Sequence, residues 1–220
     1  MEWWTVLENR HKGDTGLIIC NGYSLKDIPD KFLSKFPSIG TNGIFKLPFI
    51  PTYYVAVNEL VIQQFYLNIK CLLSLKFIRH RYAEELNAIP LFSDWQGDSI
   101  FSFDPKNWIY EGGTVTYVAL QLAYFMGFKT ILLVGLDHYY QYTGLPNEEV
   151  VMEGNDTNHF VGNYFPPGTK WNNPDLVQSE ISYTEARRVF EEDGRRIINL
   201  TPNSGESVFE KGELKDYQNA

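Results

Sequence analysis

Short apolar segments alternate with polar ones along most of the chain, and several apolar segments end at an asparagine or an aspartate. Residues 15–20 (TGLIIC), 52–57 (TYYVAV) and 129–136 (KTILLVGL) predict buried strands, because they are short, apolar and followed by polar or turn residues. Weaker strand patterns cover residues 38–42, 73–78, 89–92 and 196–200.

Helical patterns separate these strands. Residues 24–36 and 59–68 predict short helices, and residues 115–126 predict a longer one that is apolar nearly all round, with Gly127 as its C-terminal cap. The segment Ser182-Tyr183-Thr184-Glu185 matches a capping box and predicts a further helix that starts there and runs to Asp193. This alternation predicts a single α/β domain with a mainly parallel sheet and helices on both faces.

Three segments lie outside the alternation. Residues 1–14 predict a loosely attached N-terminal arm or short helix, and residues 206–220 a polar C-terminal tail. Residues 138–178 are polar and aromatic with little periodicity, and such a segment is too long for a plain connection, so it predicts a lid. The domain itself is therefore expected over residues 15–205.

Composition narrows the classes of function. The net charge of −8 argues against a nucleic-acid binder, which needs basic side chains to neutralise phosphates. No apolar run approaches the roughly 20 residues of a transmembrane helix, and the first residues do not match a signal peptide. The two cysteines, Cys20 and Cys71, suggest no disulfide framework, so a cytoplasmic protein is expected.

Polar side chains stand where the predicted strands end. In open parallel sheets, ligands bind outside the carboxyl ends of the strands. Asparagine both donates and accepts hydrogen bonds, which suits ribose hydroxyls and base edges. Each such residue alone is also typical of a turn that its side chain stabilises locally. Together they favour a ligand site at this edge: Asn21, Asn42, Asn58, Asp137 and Asn203.

Two glycine-containing turns are candidates for phosphate binding. Gly22 and Ser24 lie between the first strand and its helix, and Gly113 and Thr114 precede the long helix. Backbone N–H groups at a helix N-terminus attract anions. A tight turn without a ligand is the alternative for either one, and neither a GxGxxG nor a Walker motif is present.

His159 is the candidate general base, because it lies in the polar loop near aromatic side chains and its ordinary pKa is close to neutral pH. A surface histidine that orders the loop is the alternative. Asp137 and Asp156 could share a divalent cation such as Mg²⁺ with phosphates, although their spacing does not require it. His138 follows Asp137 directly and could support it, and Arg79 follows a strand and could contact an anion.

Three blocks of sequence resemble the bacterial CMP-sialic-acid-dependent sialyltransferases. Residues 21–28 (NGYSLKDI) resemble their GNGPSL turn, and residues 112–137 resemble their helix–strand unit ending in G-x-D. Residues 158–162 (NHFVG) and 182–204 resemble their lid and final strand. The related DUF115 family, with the archaeal hydroxymethylpterin diphosphokinases, shares the first two blocks.

The resemblance implies a Rossmann-like glycosyltransferase fold in which Asn21, Gly22, Asn42 and Asn58 contact the nucleotide. It also implies that a lid histidine acts as general base, within a pattern like HYIGH. Here His159 matches the first histidine of that pattern, and Asn163 stands where the second would be.

The leading hypothesis is a nucleotide-sugar-dependent glycosyltransferase that transfers a sugar to a glycan or small-molecule acceptor. The lid would exclude water, which otherwise hydrolyses an activated sugar. His159 and Asp137 are the predicted catalytic residues. The predicted nucleotide-binding residues are Asn21, Gly22, Ser24, Asn42, Asn58, Gly113, Thr114 and Asn203.

Two alternatives remain. One is a Mg²⁺-dependent pyrophosphokinase that uses ATP, although no cofactor is firmly implied. The other is a nucleotide-binding domain without catalytic activity. An aromatic-rich lid also favours packing against a second copy of the chain, so a homo-oligomer is one further expectation.

Overall fold

The apolar segments form strands, and the polar segments between them form helices and loops. The computed structural model describes residues 3–94 and 99–218. Their strands are β1 (Thr15–Ile19), β2 (Ser38–Thr41), β3 (Tyr53–Ala56), β4 (Leu75–Arg79), β5 (Ile89–Leu91), β6 (Ser93–Asp94), β7 (Ile109–Tyr110), β8 (Thr130–Val134), β9 (Glu149–Val151), β10 (Lys170–Asn172), β11 (Arg196–Asn199) and β12 (Glu210–Lys211). Their helices are α1 (Trp3–Leu7), α2 (Asp30–Leu33), α3 (Glu59–Gln64), α4 (Tyr66–Cys71), α5 (His80–Ala83), α6 (Val115–Phe125) and α7 (Leu176–Glu192).

The main sheet, as far as the structure describes it, has eight strands in the order β12-β11-β8-β1-β2-β3-β4-β5. All neighbouring strands in it are parallel. The chain moves outward from β1 to β5, then returns to the other side of β1 and continues through β8, β11 and β12. The strand order therefore reverses between β1 and β8, and such a reversal opens a crevice at the carboxyl ends of the strands.

Both faces of the sheet are buried. Successive side chains of a strand point to opposite faces, so Ile18 packs among residues of α6 and α7, whereas Ile19 packs with residues of α2, α3 and the lid. The expected α/β architecture with covered faces is confirmed. Two further small sheets pair β6 with β7 and β9 with β10, and the second pair belongs to the lid.

The helix α6 is buried on nearly all sides, as its apolar sequence predicts. Thr114 caps its N-terminus, where the Thr114 hydroxyl oxygen accepts a hydrogen bond from Thr116 N at 3.3 Å. Beyond its C-terminus, Gly127 takes a φ of +86°, which a residue with a Cβ rarely adopts. The helix thus runs beneath the sheet with its N-terminus at the crevice.

The predicted start of the last helix is wrong. α7 begins at Leu176, and Asp175 caps it by accepting a hydrogen bond from Gln178 N at 3.0 Å. Ser182 is buried within the helix, where its hydroxyl donates to Gly112 O at 2.8 Å. The predicted helix over residues 24–36 is also interrupted, because Ile28 precedes a proline and is extended there.

The described residues near both ends of the chain, 3–14 and 206–218, pack onto the fold. In α1, the Trp4 ring lies 5.7 Å from those of Phe77 and Phe125, so residues 3–14 are not a loose arm. In the expected polar tail, β12 extends the sheet and buried Glu206 accepts a hydrogen bond from Phe209 N at 2.8 Å. Nowhere in the described ranges does a helix combine the length and apolar character that crossing a membrane requires.

Candidate nucleotide site

A cavity of about 530 Å³ opens at the carboxyl ends of β1, β2 and β3, beside the reversal of strand order. Its walls come from the strand exits, the N-termini of α6 and α7, and the lid. Six of the sequence-predicted residues line it: Asn21, Asn42, Asn58, Gly113, Thr114 and His159. The parallel topology brings them together, because every strand of such a sheet ends at the same edge.

Asn21 presents a fixed acceptor. Its amide nitrogen donates to Thr41 O at 3.0 Å and to Thr41 Oγ1 at 2.8 Å. The Thr41 hydroxyl in turn donates to Ile19 O at 3.1 Å, so Thr41 Oγ1 must accept from the amide. The Asn21 amide orientation follows, and its Oδ1 atom is buried without a partner among the described residues. A buried acceptor of this kind requires a donor, such as a ligand hydroxyl or amine.

Asn42 and Asn58 differ in what they offer. Asn42 Oδ1 also has no partner within the described residues, and the residue has a φ of +45° at the exit of β2. Asn58 instead uses its amide within the protein, because Oδ1 accepts from Val61 N at 3.2 Å and Nδ2 donates to Asn172 Oδ1 at 3.0 Å. Asn58 therefore caps α3 and holds the lid strand β10.

The first glycine turn is occupied by a carboxylate of the protein itself. Asp137 accepts hydrogen bonds from Ser24 N at 3.0 Å and from the Ser24 hydroxyl at 2.8 Å. A Cβ on Gly22 would lie 2.0 Å from Asp137 Oδ2, so the close approach requires glycine. Gly22, Ser24 and Asp137 do not line the cavity, and their predicted roles in binding and catalysis have no direct geometric support.

The second glycine turn faces the cavity. Gly112 and Gly113 have φ values of +55° and +77°, which turn the chain into the start of α6. Gly113, Thr114 and Thr116 line the cavity together with Val115. The partial positive charge of the helix N-terminus therefore points into the cavity.

His159 and Asp156 form a buried pair in the lid. His159 Nδ1 lies 2.7 Å from Asp156 Oδ2, while Asp156 Oδ1 accepts from Asn158 N at 2.9 Å and from His159 N at 3.2 Å. Burial would raise the pKa of Asp156, but these hydrogen bonds and those of the imidazole hold it below its ordinary value. The carboxylate thus stays charged, and in the neutral imidazole this contact places the proton on Nδ1, which leaves Nε2 as the acceptor.

The lid is joined to the floor of the site beside this pair. Phe160 N donates to Asn21 O at 3.2 Å, and Gly22 and His159 form an antiparallel bridge. Asn21 and Gly22, which were predicted to bind a nucleotide, therefore also position the lid histidine His159.

The charged side chains that line the cavity form ion pairs within the protein. Arg79 donates to Val57 O at 2.6 Å and forms a buried ion pair with Glu111. Glu59 pairs with Arg81, with Glu59 Oε1 and Arg81 Nη1 2.9 Å apart. Arg79, which was expected to contact an anion, is therefore paired with a carboxylate of the protein itself.

The described residues contain no group of three or more histidine, cysteine, aspartate or glutamate side chains that could hold a metal ion. Asp137 and Asp156, the predicted pair for Mg²⁺, are each held by protein donors. Asn203 is exposed and does not line the cavity. Cys20 does line it, but burial raises the pKa of its thiol to about 12, so it stays protonated.

Sequence reasoning missed Thr41, Tyr140 and Tyr183, which line the cavity. Thr41 could have been predicted from the sequence, since it ends β2 directly before Asn42. Tyr140 and Tyr183 carry none, because one lies in an aperiodic loop and the other inside a helix.

A search of solved structures places this architecture beside a known enzyme. The sialyltransferase CstII from Campylobacter jejuni, solved with the substrate analogue cytidine-5′-monophosphate, superposes with a TM-score of 0.55. The match covers 92% of this chain and 86% of the other, at 14% sequence identity. The chain has the fold of that enzyme. The expected Rossmann-like α/β fold with a mainly parallel sheet is therefore confirmed.

No family model matches the sequence, and no curated protein matches it. The structural likeness supports the sialyltransferase side of the expected relationship and gives no support to the DUF115 side. At this level of identity, the likeness establishes the fold alone.

Proposed function

We propose that the chain is a nucleotide-sugar-dependent glycosyltransferase. The Asp156–His159 pair carries the proposal, because it presents an imidazole with a fixed proton to a cavity at the strand exits. His159 would take the proton of an acceptor hydroxyl through Nε2, and the resulting imidazolium would be stabilised by the Asp156 carboxylate.

The donor would lie on the other walls. Asn21 Oδ1 and Asn42 Oδ1 lack donors within the described part of the chain, and ribose hydroxyls or an exocyclic amine would supply them. The start of α6 would face the phosphate that leaves with the nucleotide. A structural neighbour bound to cytidine-5′-monophosphate makes a cytidine nucleotide the first ligand to test.

The lid would shield the reacting groups from water. Phe160 joins it to Asn21, and Asn172 of β10 joins it to Asn58, so it is attached to two strand exits. Excluding water protects an activated sugar from hydrolysis. Neither Asp137 nor Asp156 offers a specific observation in favour of the Mg²⁺-dependent pyrophosphokinase.

The test is a panel of nucleotide sugars with CMP, UDP and GDP carriers, together with ATP, with and without Mg²⁺. We expect one carrier to raise the melting temperature and to release its nucleotide when a saccharide acceptor is added. His159→Gln should lower turnover by about 10²–10⁴-fold, as expected for a lost general base, with nucleotide affinity unchanged.

Three results would contradict parts of the proposal. No stabilisation and no nucleotide release by any member would reject it. Binding of ATP only with Mg²⁺ would favour the pyrophosphokinase. Tight binding without turnover, unaffected by His159→Gln, would favour a non-catalytic nucleotide-binding domain.

A further inference from the structure

A second histidine stands at the wall of the cavity. His138 lines the cavity, although only 6% of its side chain is exposed, and its backbone φ is +54°. That conformation is uncommon for residues with a Cβ, and asparagine, aspartate and histidine adopt it more often than the others. The turn after β8 therefore admits a histidine and would admit an asparagine equally well.

The Nε2 atom of His138 has no well-formed hydrogen bond among the described residues. It is buried, and Glu180 Oε1 lies 3.4 Å away, within the range of an ion pair when the ring is protonated. Such a buried polar atom is destabilising unless a further group pairs with it. Glu180 meets that need only when the ring is protonated, and an anionic ligand in the cavity that His138 lines would favour that state.

His138 lies on the same wall as the start of α6. Its ring centroid is 5.9 Å from that of Tyr183, and the Tyr183 hydroxyl lies 3.4 Å from Thr114 Oγ1, the cap of α6. His159 instead belongs to the lid. The two histidines therefore face different parts of a bound nucleotide sugar, with His138 beside the helix end that favours a phosphate.

The surroundings of His138 keep its ring neutral in the free protein. Burial lowers its pKa, while the carboxylates of Glu180 and Glu206 oppose that shift and the Lys211 ammonium adds to it. An incoming anion would favour the protonated ring. In that state Nε2 pairs with Glu180, and Nδ1 is the nitrogen left to donate to the anion.

We propose that His138 is the phosphate-contacting residue of this cavity. When a nucleotide binds, the imidazole takes one proton from solvent and donates a hydrogen bond to a phosphate oxygen beside the start of α6. The proposal rests on the proposed function in one respect, namely that a nucleotide is the ligand.

The experiment compares CMP, UMP, AMP and GMP with the four corresponding nucleosides by isothermal titration calorimetry at pH 7.5. The variant is His138→Asn, since asparagine tolerates the positive φ. His80→Asn is the matched control, because His80 is exposed, stacks on Phe92 with ring centroids 5.1 Å apart, and does not line the cavity.

We expect His138→Asn to weaken binding of the preferred monophosphate at least tenfold and to change nucleoside binding less than twofold. Titrations in two buffers of different ionisation enthalpy should show proton uptake on monophosphate binding by the wild type and by His80→Asn, and none by His138→Asn. Unchanged monophosphate affinity, or an equal loss for nucleoside and monophosphate, would overturn the proposal.

The two proposals fail in different ways. If the wild-type protein binds none of these monophosphates and none of the nucleotide sugars of the panel above, the proposed function fails and this inference falls with it. If the wild type binds a monophosphate and His138→Asn binds it equally well, only the role of His138 is rejected. His138→Gly, which also suits the backbone, repeats the test if the asparagine variant does not fold.

Discussion

The imidazole of His159 lies flat against the phenol ring of Tyr164, with ring centroids 4.0 Å apart and planes inclined by 6°. Tyr164 is held in turn by Gly43, whose backbone N–H donates to the tyrosine hydroxyl at 2.7 Å. Gly43 follows β2 directly beyond Asn42. The proposed general base is therefore positioned by a buried contact between the lid and the sheet.

Gly43→Ala should disturb this contact. A Cβ at Gly43 would lie 2.4 Å from the Tyr164 ring, so the ring must move and the stacked imidazole with it. Overpacking of this kind costs about 1–3 kcal/mol. We expect a lower melting temperature and at least a tenfold loss of turnover, measured by calorimetry and by nucleotide release.

Tyr164→Phe is the matched control for Gly43→Ala. It keeps the stacked ring and removes only the hydroxyl, so stability should fall by roughly 1–2 kcal/mol through the unpaired Gly43 N–H, with turnover close to that of the wild type. Full turnover in Gly43→Ala would show that the Tyr164 position does not control His159.

Asp156→Asn should impair catalysis more than binding. The new amide can still accept the backbone N–H groups of Asn158 and His159 through its oxygen, which places its NH₂ group against His159 Nδ1. His159 must then accept at Nδ1 and carry its proton on Nε2, where it cannot act as a base. Such a tautomer change is expected to lower turnover by about two orders of magnitude or more.

Turnover and nucleotide affinity are both measured for Asp156→Asn. Affinity within threefold of the wild type shows that the cavity is intact. If turnover is also within threefold, Asp156 does not set the histidine tautomer, and the role of His159 as a base loses its main support.

Asp137→Asn tests the catalytic role predicted from sequence for Asp137. The structure uses this carboxylate to hold Ser24 N and the Ser24 hydroxyl, so the substitution should destabilise the turn by roughly 1–2 kcal/mol. Ser24→Ala should cost a similar amount, and the double variant less than the sum. A large loss of turnover with an unchanged melting temperature would instead restore the catalytic assignment.

The sequence carries enough information for the sheet and too little for the detail of the site. Buried parallel strands such as β3 and β8 are recognisable because both of their faces are apolar. The start of α7 was not recognisable, because the Ser182–Glu185 pattern of a capping box also occurs inside a helix. There the Ser182 hydroxyl donates a hydrogen bond to Gly112 O.

The same limit applies to the row of strand-end asparagines. That Asn21 and Asn58 share one edge follows from parallel topology alone. That Asn21 keeps a free acceptor while Asn58 does not depends on Thr41 and Asn172, and Asn172 is far from Asn58 in the sequence. Hydrogen-bond partners of this kind are set by tertiary packing, which no local pattern reports.

His138 should make stability depend on pH in the absence of any ligand. Burial lowers the pKa of the folded ring below its ordinary value of 6.5. Below about pH 6.5 the unfolded chain therefore binds a proton that the folded chain does not. The free energy of unfolding is thus unaffected by His138 above that pH and decreases as the pH falls below it. His138→Asn has no such proton, so its stability relative to the wild type should rise as the pH falls from 8 to 5.

Denaturant unfolding of the wild type, His138→Asn and His80→Asn at intervals across this range measures the effect. The difference between the wild type and His138→Asn should change with pH below 6.5, because burial and the Lys211 ammonium lower the pKa of the ring despite the opposing Glu180 and Glu206 carboxylates. His80→Asn introduces the same residue at an exposed histidine that does not line the cavity, and serves as the control. A constant difference for His138→Asn would mean that the ring titrates alike in the folded and unfolded chains, and its burial would then have no effect on its charge.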